Sequence, residues 1–323
     1  MLIAARLPRS RPAPAAPREA CVPPAKAPGA GARALRRVAA WLGASLLLAG
    51  CATQAPPVAT LAPPLPYPSS TRERAIRIAL EEWREWGSVV VDDARPRPRS
   101  TGPGLESSLT NFPRVLAYWR AVEGETGARA AIDRNRNRYA TILAQPGAPG
   151  ELWGEPAWSA AFISYVLRNA GVDQREFPSS AAHAFYIDGM LADAAAFPAQ
   201  ASFIPHDVGA YAPVPGDLVC ADRSRRPLAN WRDRLAERGE FRPMHCDIVV
   251  AASPGVVQAV GGNVADSVTL SRFPADASGR LLARPAGHAA WFAVFENRLG
   301  RLPPFGQAPG VPVAGLRTGR ARS

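Results

Sequence analysis

Residues 245–263 read HCDIVVAASPGVVQAVGGN, two β-branched runs, 247–251 and 256–260, on either side of Ser253-Pro254-Gly255. Short runs rich in Val and Ile and bounded by turn residues mark a hairpin. With the turn centred on Pro254, His245 and Asn263 each lie nine residues from it. They are then expected opposite each other, with Cβ atoms about 5 Å apart if no bulge intervenes. The two-residue period of a strand places Asp247 on the face of His245. Similar runs stand at 218–221, 267–272 and 291–296, all after Pro215-Gly216.

Upstream of Pro215 the periodicity is helical. Ser70-Thr71-Arg72-Glu73 has the form of a capping box, and Ile76, Leu80 and Trp83 follow at spacings of four and three up to Gly87. Asn111 and Pro113 open a second helix through Val115, Leu116, Trp119 and Val122, while 125–150 is ambiguous and only partly helical in pattern. The segment 156–169 gathers Ala160, Ile163, Val166 and Leu167 on one face and stops at Gly171. One more helix is expected over 180–195. Helices first and strands later predict an α+β domain, its N-terminal helices packed on a C-terminal antiparallel sheet.

The ends of the chain have another character. Arg36-Arg37, the apolar run 38–49 and Leu48-Ala49-Gly50-Cys51 have the order of a signal peptide, and the run is too short to span a bilayer. The ending resembles the lipobox of bacterial lipoproteins, which implies cleavage before Cys51 and acylation of that cysteine with palmitate-type chains. Several chains, each contributing about 0.8 kcal/mol per buried methylene, make a stable anchor in membrane lipid. Ala52 is not the Asp that favours inner-membrane retention in some bacteria, so a periplasm-facing position on the outer membrane is expected if the cell has one. The chain then divides into a leader and signal peptide (1–50), a lipidated Cys and Pro-rich tether (51–69), the α+β domain (70–300) and a basic, disordered tail (301–323).

The net charge of +11 suggests nucleic acid until it is mapped. Residues 1–50 hold eight Lys or Arg against one acid, residues 301–323 hold four Arg and no acid, and 51–300 hold 26 basic and 26 acidic residues. The domain is balanced, which argues against a nucleic-acid partner. Of the four cysteines, Cys220 and Cys246 remain after cleavage at Cys51. In an oxidising compartment they form either a disulfide or two buried thiols. The His and Cys positions show no zinc spacing, and no cofactor is implied.

Three pieces carry a resemblance: Trp158-Ser159-Ala160-Ala161-Phe162 opening the most strongly patterned helix, His245-Cys246-Asp247-Ile248-Val249 on a strand, and Gly261-Gly262-Asn263 ending the next. With Pro215-Gly216-Asp217-Leu218, they resemble the bacterial domain-of-unknown-function family 2272 over roughly residues 72–297. Beyond it they resemble the papain-like cell-wall amidases and peptidases, the NlpC-type and the cysteine- and histidine-dependent amidohydrolase/peptidase families. There a helix N-terminus carries the nucleophile, a following sheet carries His, and a third polar residue orients it. The resemblance therefore implies a papain-like fold and amide hydrolysis in peptidoglycan peptides, with Ser159 as nucleophile, His245 as base, and Asn263 or Asp247 as the residue that orients it.

Ser159 is the departure, since those families carry Cys there. A helix dipole worth at most about 2 kcal/mol lowers a pKa by roughly 1.5 units, far too little to make a resting alkoxide. Ser159 acts only if His245 takes its proton during attack. Trp158 and His183 are candidate cleft residues, although the place of His183 at the polar edge of a helix after Ser179-Ser180 better suits a surface or capping residue. Asp217 reads as a turn residue. Two rival functions stand beside hydrolysis by Ser159: a non-catalytic relative that binds cell-wall peptide or a partner protein, and acyl transfer by Cys220.

Overall fold

The computed structural model describes residues 70–94, 105–148 and 150–300. The segments expected to be a signal peptide, a lipidated Cys51, a tether and a basic tail lie outside the described residues. Helix α1 (Ser70–Glu85) buries Thr71, Ala75 and Ala79, one small stripe at a spacing of four, with Glu73 in its first turn and Arg84 in its last, as the helix dipole favours. Helix α2 (Phe112–Arg120) has its proline in the first turn, where a missing N–H costs nothing. The ambiguous stretch forms α3 (Thr126–Ala144), a long helix that buries only Ala128, Ala131, Ile132 and Asn135. So narrow a stripe among arginines explains the weak pattern. Helix α4 (Ser159–Asn169) is buried along most of its length, and α5 (His183–Ala196) follows it.

The strands are β1 (Val90–Asp92), β2 (Phe203–His206), β3 (Leu218–Asp222), β4 (Met244–Ser253), β5 (Val256–Val264), β6 (Ser267–Pro274) and β7 (Ala290–Asn297). They form one seven-stranded sheet in the order β1-β6-β5-β4-β3-β7-β2. The fold is α+β as expected, but the sheet is mixed and not antiparallel, because β1 pairs with β6 in parallel. The two strands that the periodicity did not announce, β1 and β2, are the two edges. Each is only three or four residues long, and β2 contains Pro205, a residue that sheets admit at edges.

Each face of the sheet has its own core. Leu218, Cys220, Cys246, Ile248, Val260 and Phe295 belong to the core shared with the helices. Val219, Val249, Val257, Ala259 and Val294 form a second cluster with Phe273 and Leu281 on the opposite face. A buried side chain of this size contributes about 1.5–3 kcal/mol, so both faces are anchored.

The β4–β5 turn is Pro254-Gly255, flanked by the pair Ser253 and Val256. A bulge between Val249 and Ala251 shifts the ladder by one residue, after which Ile248 faces Val260. That is the register expected for a turn centred on Pro254. Cys220 and Cys246 are directly opposite each other on β3 and β4 and are joined by a disulfide. Cys220 is therefore no free nucleophile, and the acyl-transfer reading falls with it.

Candidate functional site

Ser159 is the first residue of α4, preceded by Trp158 at the N-cap. Its side chain is buried, at 5% exposure, and its Oγ lies 2.7 Å from His183 Nε2. His183 opens α5, and its Nδ1 is hydrogen-bonded to the Tyr186 hydroxyl one turn on. Position 183 is thus neither a surface site nor a cap: His183 is buried and paired with the serine. If Ser159 donates to Nε2, Nδ1 carries the ring proton and donates to the Tyr186 oxygen. Burial, helped by His245 and Arg223 nearby, pushes the His183 pKa well below its ordinary value and keeps the ring neutral at pH 7.

His245 is paired with the other candidate orienter. Its Nε2 lies 3.0 Å from Asp247 Oδ1, and its Nδ1 is buried without a hydrogen-bond partner among the described residues. A proton held on Nε2 by the carboxylate leaves Nδ1 as an open acceptor. Strand alternation explains why Ser159 does not bond to His245. Cys246 and Ile248 point into the helix-side core, so His245 and Asp247 take the face of Val249. The two imidazoles still come within 5.4 Å, centroid to centroid.

Asn263 does not orient His245. Its backbone turns into the left-handed region at φ 57°, and its Nδ2 donates to Glu106 Oε2 at 2.7 Å. Trp158 Nε1 donates to the same oxygen at 2.6 Å. Burial, reinforced by Asp266 and Glu151 against the two donors, raises the Glu106 pKa to about 7. The carboxyl ties the N-cap of α4 to the end of β5, and nothing in the sequence around Gly102-Pro103-Gly104 signalled it. Tyr186 was legible in principle, three residues after His183 on one helix.

Two glycines bring these pieces together. A Cβ on Gly261 would lie 1.6 Å from Asp247 Oδ1 and 3.1 Å from His245 Nε2, and one on Gly262 would lie 2.5 Å from Phe162 Cβ. The first leaves room for Asp247 beside β5, and the second lets α4 sit against the strand. On the Asp247 side opens a cleft of about 780 Å³ lined by Ala157, Arg223, His245, Asp247, Asn263 and Asp266, among others. Ser159, Trp158 and His183 are buried and are not among its lining residues.

A family model described as "Uncharacterized protein conserved in bacteria (DUF2272)" matches residues 109–297. The chain belongs to this family. The DUF2272 region contains Ser159, His183, Arg223, His245, Asp247 and Asn263, while Glu106 stands just before it. No curated protein and no solved structure matches the chain.

Elsewhere in the DUF2272 domain, Asp217 does more than shape its turn. It accepts hydrogen bonds from Val214 N, the Tyr211 hydroxyl and Asn297 N, and so joins the start of β3 to the end of β7. Among the described residues no group of three or more His, Cys, Asp or Glu is arranged to hold a metal ion. Nor is any described helix long and apolar enough to cross a membrane.

Proposed function

We propose that this chain is an envelope lipoprotein, anchored through acylated Cys51, whose papain-like domain hydrolyses amide bonds in peptidoglycan peptides. The observation that carries the reading is the 2.7 Å contact between Ser159 Oγ, at the N-terminus of a helix, and His183 Nε2, with a second histidine–carboxylate pair beside it. Ser159 Oγ forms a bond to the carbonyl carbon while its proton passes to His183 Nε2. The C–N bond then breaks, and the proton moves from His183 to the departing nitrogen. Water cleaves the resulting ester by the same route, giving its proton to His183, which returns it to Ser159. Tyr186 supports the imidazolium by accepting a hydrogen bond from its Nδ1–H, and the His245–Asp247 pair stands beside it at the cleft. His183, not His245, is the proton carrier in this scheme, because His183 is the ring in contact with the serine.

The test is reaction of the purified full-length chain with a fluorophosphonate, read by mass spectrometry, together with incubation on peptidoglycan. The expected result is an adduct on Ser159 that is lost in His183→Ala, and released peptides that are lost in both Ser159→Ala and His183→Ala. Absence of both adduct and released peptide would overturn the hydrolase.

One observation favours the second reading, a relative that binds cell-wall peptide without cutting it. Ser159 is only 5% exposed, and the ring beside it is a weak base. Peptidoglycan binding without adduct or product is the outcome that reading requires.

A further inference from the structure

The cleft contains two guanidinium groups, and they are not equivalent. Arg284 is held by Asp93, which accepts from Nε and Nη2, while Nη1 donates to Ala289 O. Arg223 follows directly on β3, lines the cleft with His245 and Asp247, and is exposed. Its side chain makes no hydrogen bond or ion pair among the described residues. The nearest acid in sequence, Asp222, is already committed to Ser224 N, Leu228 N and Arg242 Nε. The backbone of Arg223 is fixed, its N–H donating to Pro243 O at 2.8 Å. Asp266, on the β5–β6 turn that also lines the cleft, carries the opposite charge.

We propose that Arg223 binds a carboxylate of the ligand, so that the cleft selects peptides with a free carboxylate. A guanidinium offers a planar pair of donors that matches a carboxylate, and this one has no protein partner to displace. Asp266 repels the same group and so sets the direction in which a peptide lies. That such peptides are substrates rests on the hydrolase reading, whereas their binding at Arg223 does not. The site also ties binding to chemistry. The positive field of Arg223 reaches His183 and disfavours its protonation, and a bound carboxylate cancels that field at the moment the ring has to accept a proton.

The experiment titrates the full-length chain with N-acetylalanine and, separately, with N-acetylalaninamide, following the imidazole signals of His183 and His245 by NMR. The carboxylate is expected to shift both rings and to move the His183 titration to higher pH, with the amide binding about tenfold more weakly or worse. Arg223→Gln should remove the difference between the two probes, and Arg223→Lys should restore part of it. Because the Arg223 side chain touches no partner, the variants should unfold at the wild-type temperature. Equal binding of both probes by the wild type, or unchanged carboxylate binding by Arg223→Gln, overturns the proposal. Carboxylate-selective binding in a chain that gives no fluorophosphonate adduct supports the Arg223 site and removes only the hydrolase.

Discussion

The two histidines of the site occupy opposite physical regimes although their rings are 5.4 Å apart. His183 belongs to the helices and is enclosed, bonded at one nitrogen to a serine and at the other to a tyrosine, with no carboxylate in contact. His245 belongs to the sheet, reaches the cleft, and is backed by Asp247 while its other nitrogen stays open. One ring is enclosed and held neutral, and the other stands at the cleft beside a carboxylate. A single polar cluster around the serine would have lacked that separation.

Gly261 and Gly262 sit between the two regimes, so breaking each in turn should separate them. Gly262→Ala drives a methyl group into Phe162 and Trp158 on the helix side. It should cost about 3 kcal/mol, the upper range for overpacking a rigid core, read as a lower urea midpoint. An unchanged midpoint would mean that α4 does not rest on β5. Gly261→Ala pushes instead against the Asp247 carboxylate, a side chain able to rotate, and should cost nearer 1 kcal/mol. Its expected signature is local: the His245 imidazole signals move while those of His183 stay in place. Movement of both sets together would show that the two sides are not separable.

Glu106 gives a third way to sharpen the contrast, because it belongs to neither histidine. Its folded pKa is raised from 4.5 to about 7, so the folded chain keeps a proton that the unfolded chain releases. The associated stability is present below pH 4.5 and is lost as the pH rises through 7. Glu106→Gln keeps an oxygen for Trp158 and Asn263 and removes the titration. The variant should therefore gain on the wild type between pH 4.5 and 8, as read from urea midpoints at the two ends. A constant difference between the two proteins would contradict a raised carboxyl.

The smallest effect concerns His183. Its folded pKa is depressed, so its contribution is complete above the unfolded value near 6.5 and is lost as the pH falls below it. At pH 6 the loss should be under about 1 kcal/mol, and His183→Gln should abolish that slope. A His183 ring that titrates near pH 6.5 by NMR would refute its enclosure.

Much of this arrangement was legible in the sequence. The four main helices, the five long strands and the hairpin around Pro254 all carry period or turn signals, and Ser159 and His245 stand where the patterned elements begin. What escaped has physical reasons. The strands β1 and β2 are too short for a period to register, and α3 buries too narrow a stripe. Pairing of side chains across elements was harder still. That Ser159 meets His183 depends on which face of β4 turns to the helices, and a bulge at Val249 to Ala251 is invisible in composition. Glu106 sits in a single 3₁₀ turn far upstream, Leu105–Ser107, too short for a periodicity to place it.

The edges of the sheet bear on how the protein tolerates company. An exposed strand is an invitation to neighbouring chains, since its free N–H and C=O groups template further strands. Here one edge is three residues long and the other is interrupted by Pro205, which has no N–H to offer. Neither presents enough unbroken ladder to seed growth. If many copies share one membrane surface, where tethering raises the local concentration, such blunt margins keep crowding from turning into aggregation.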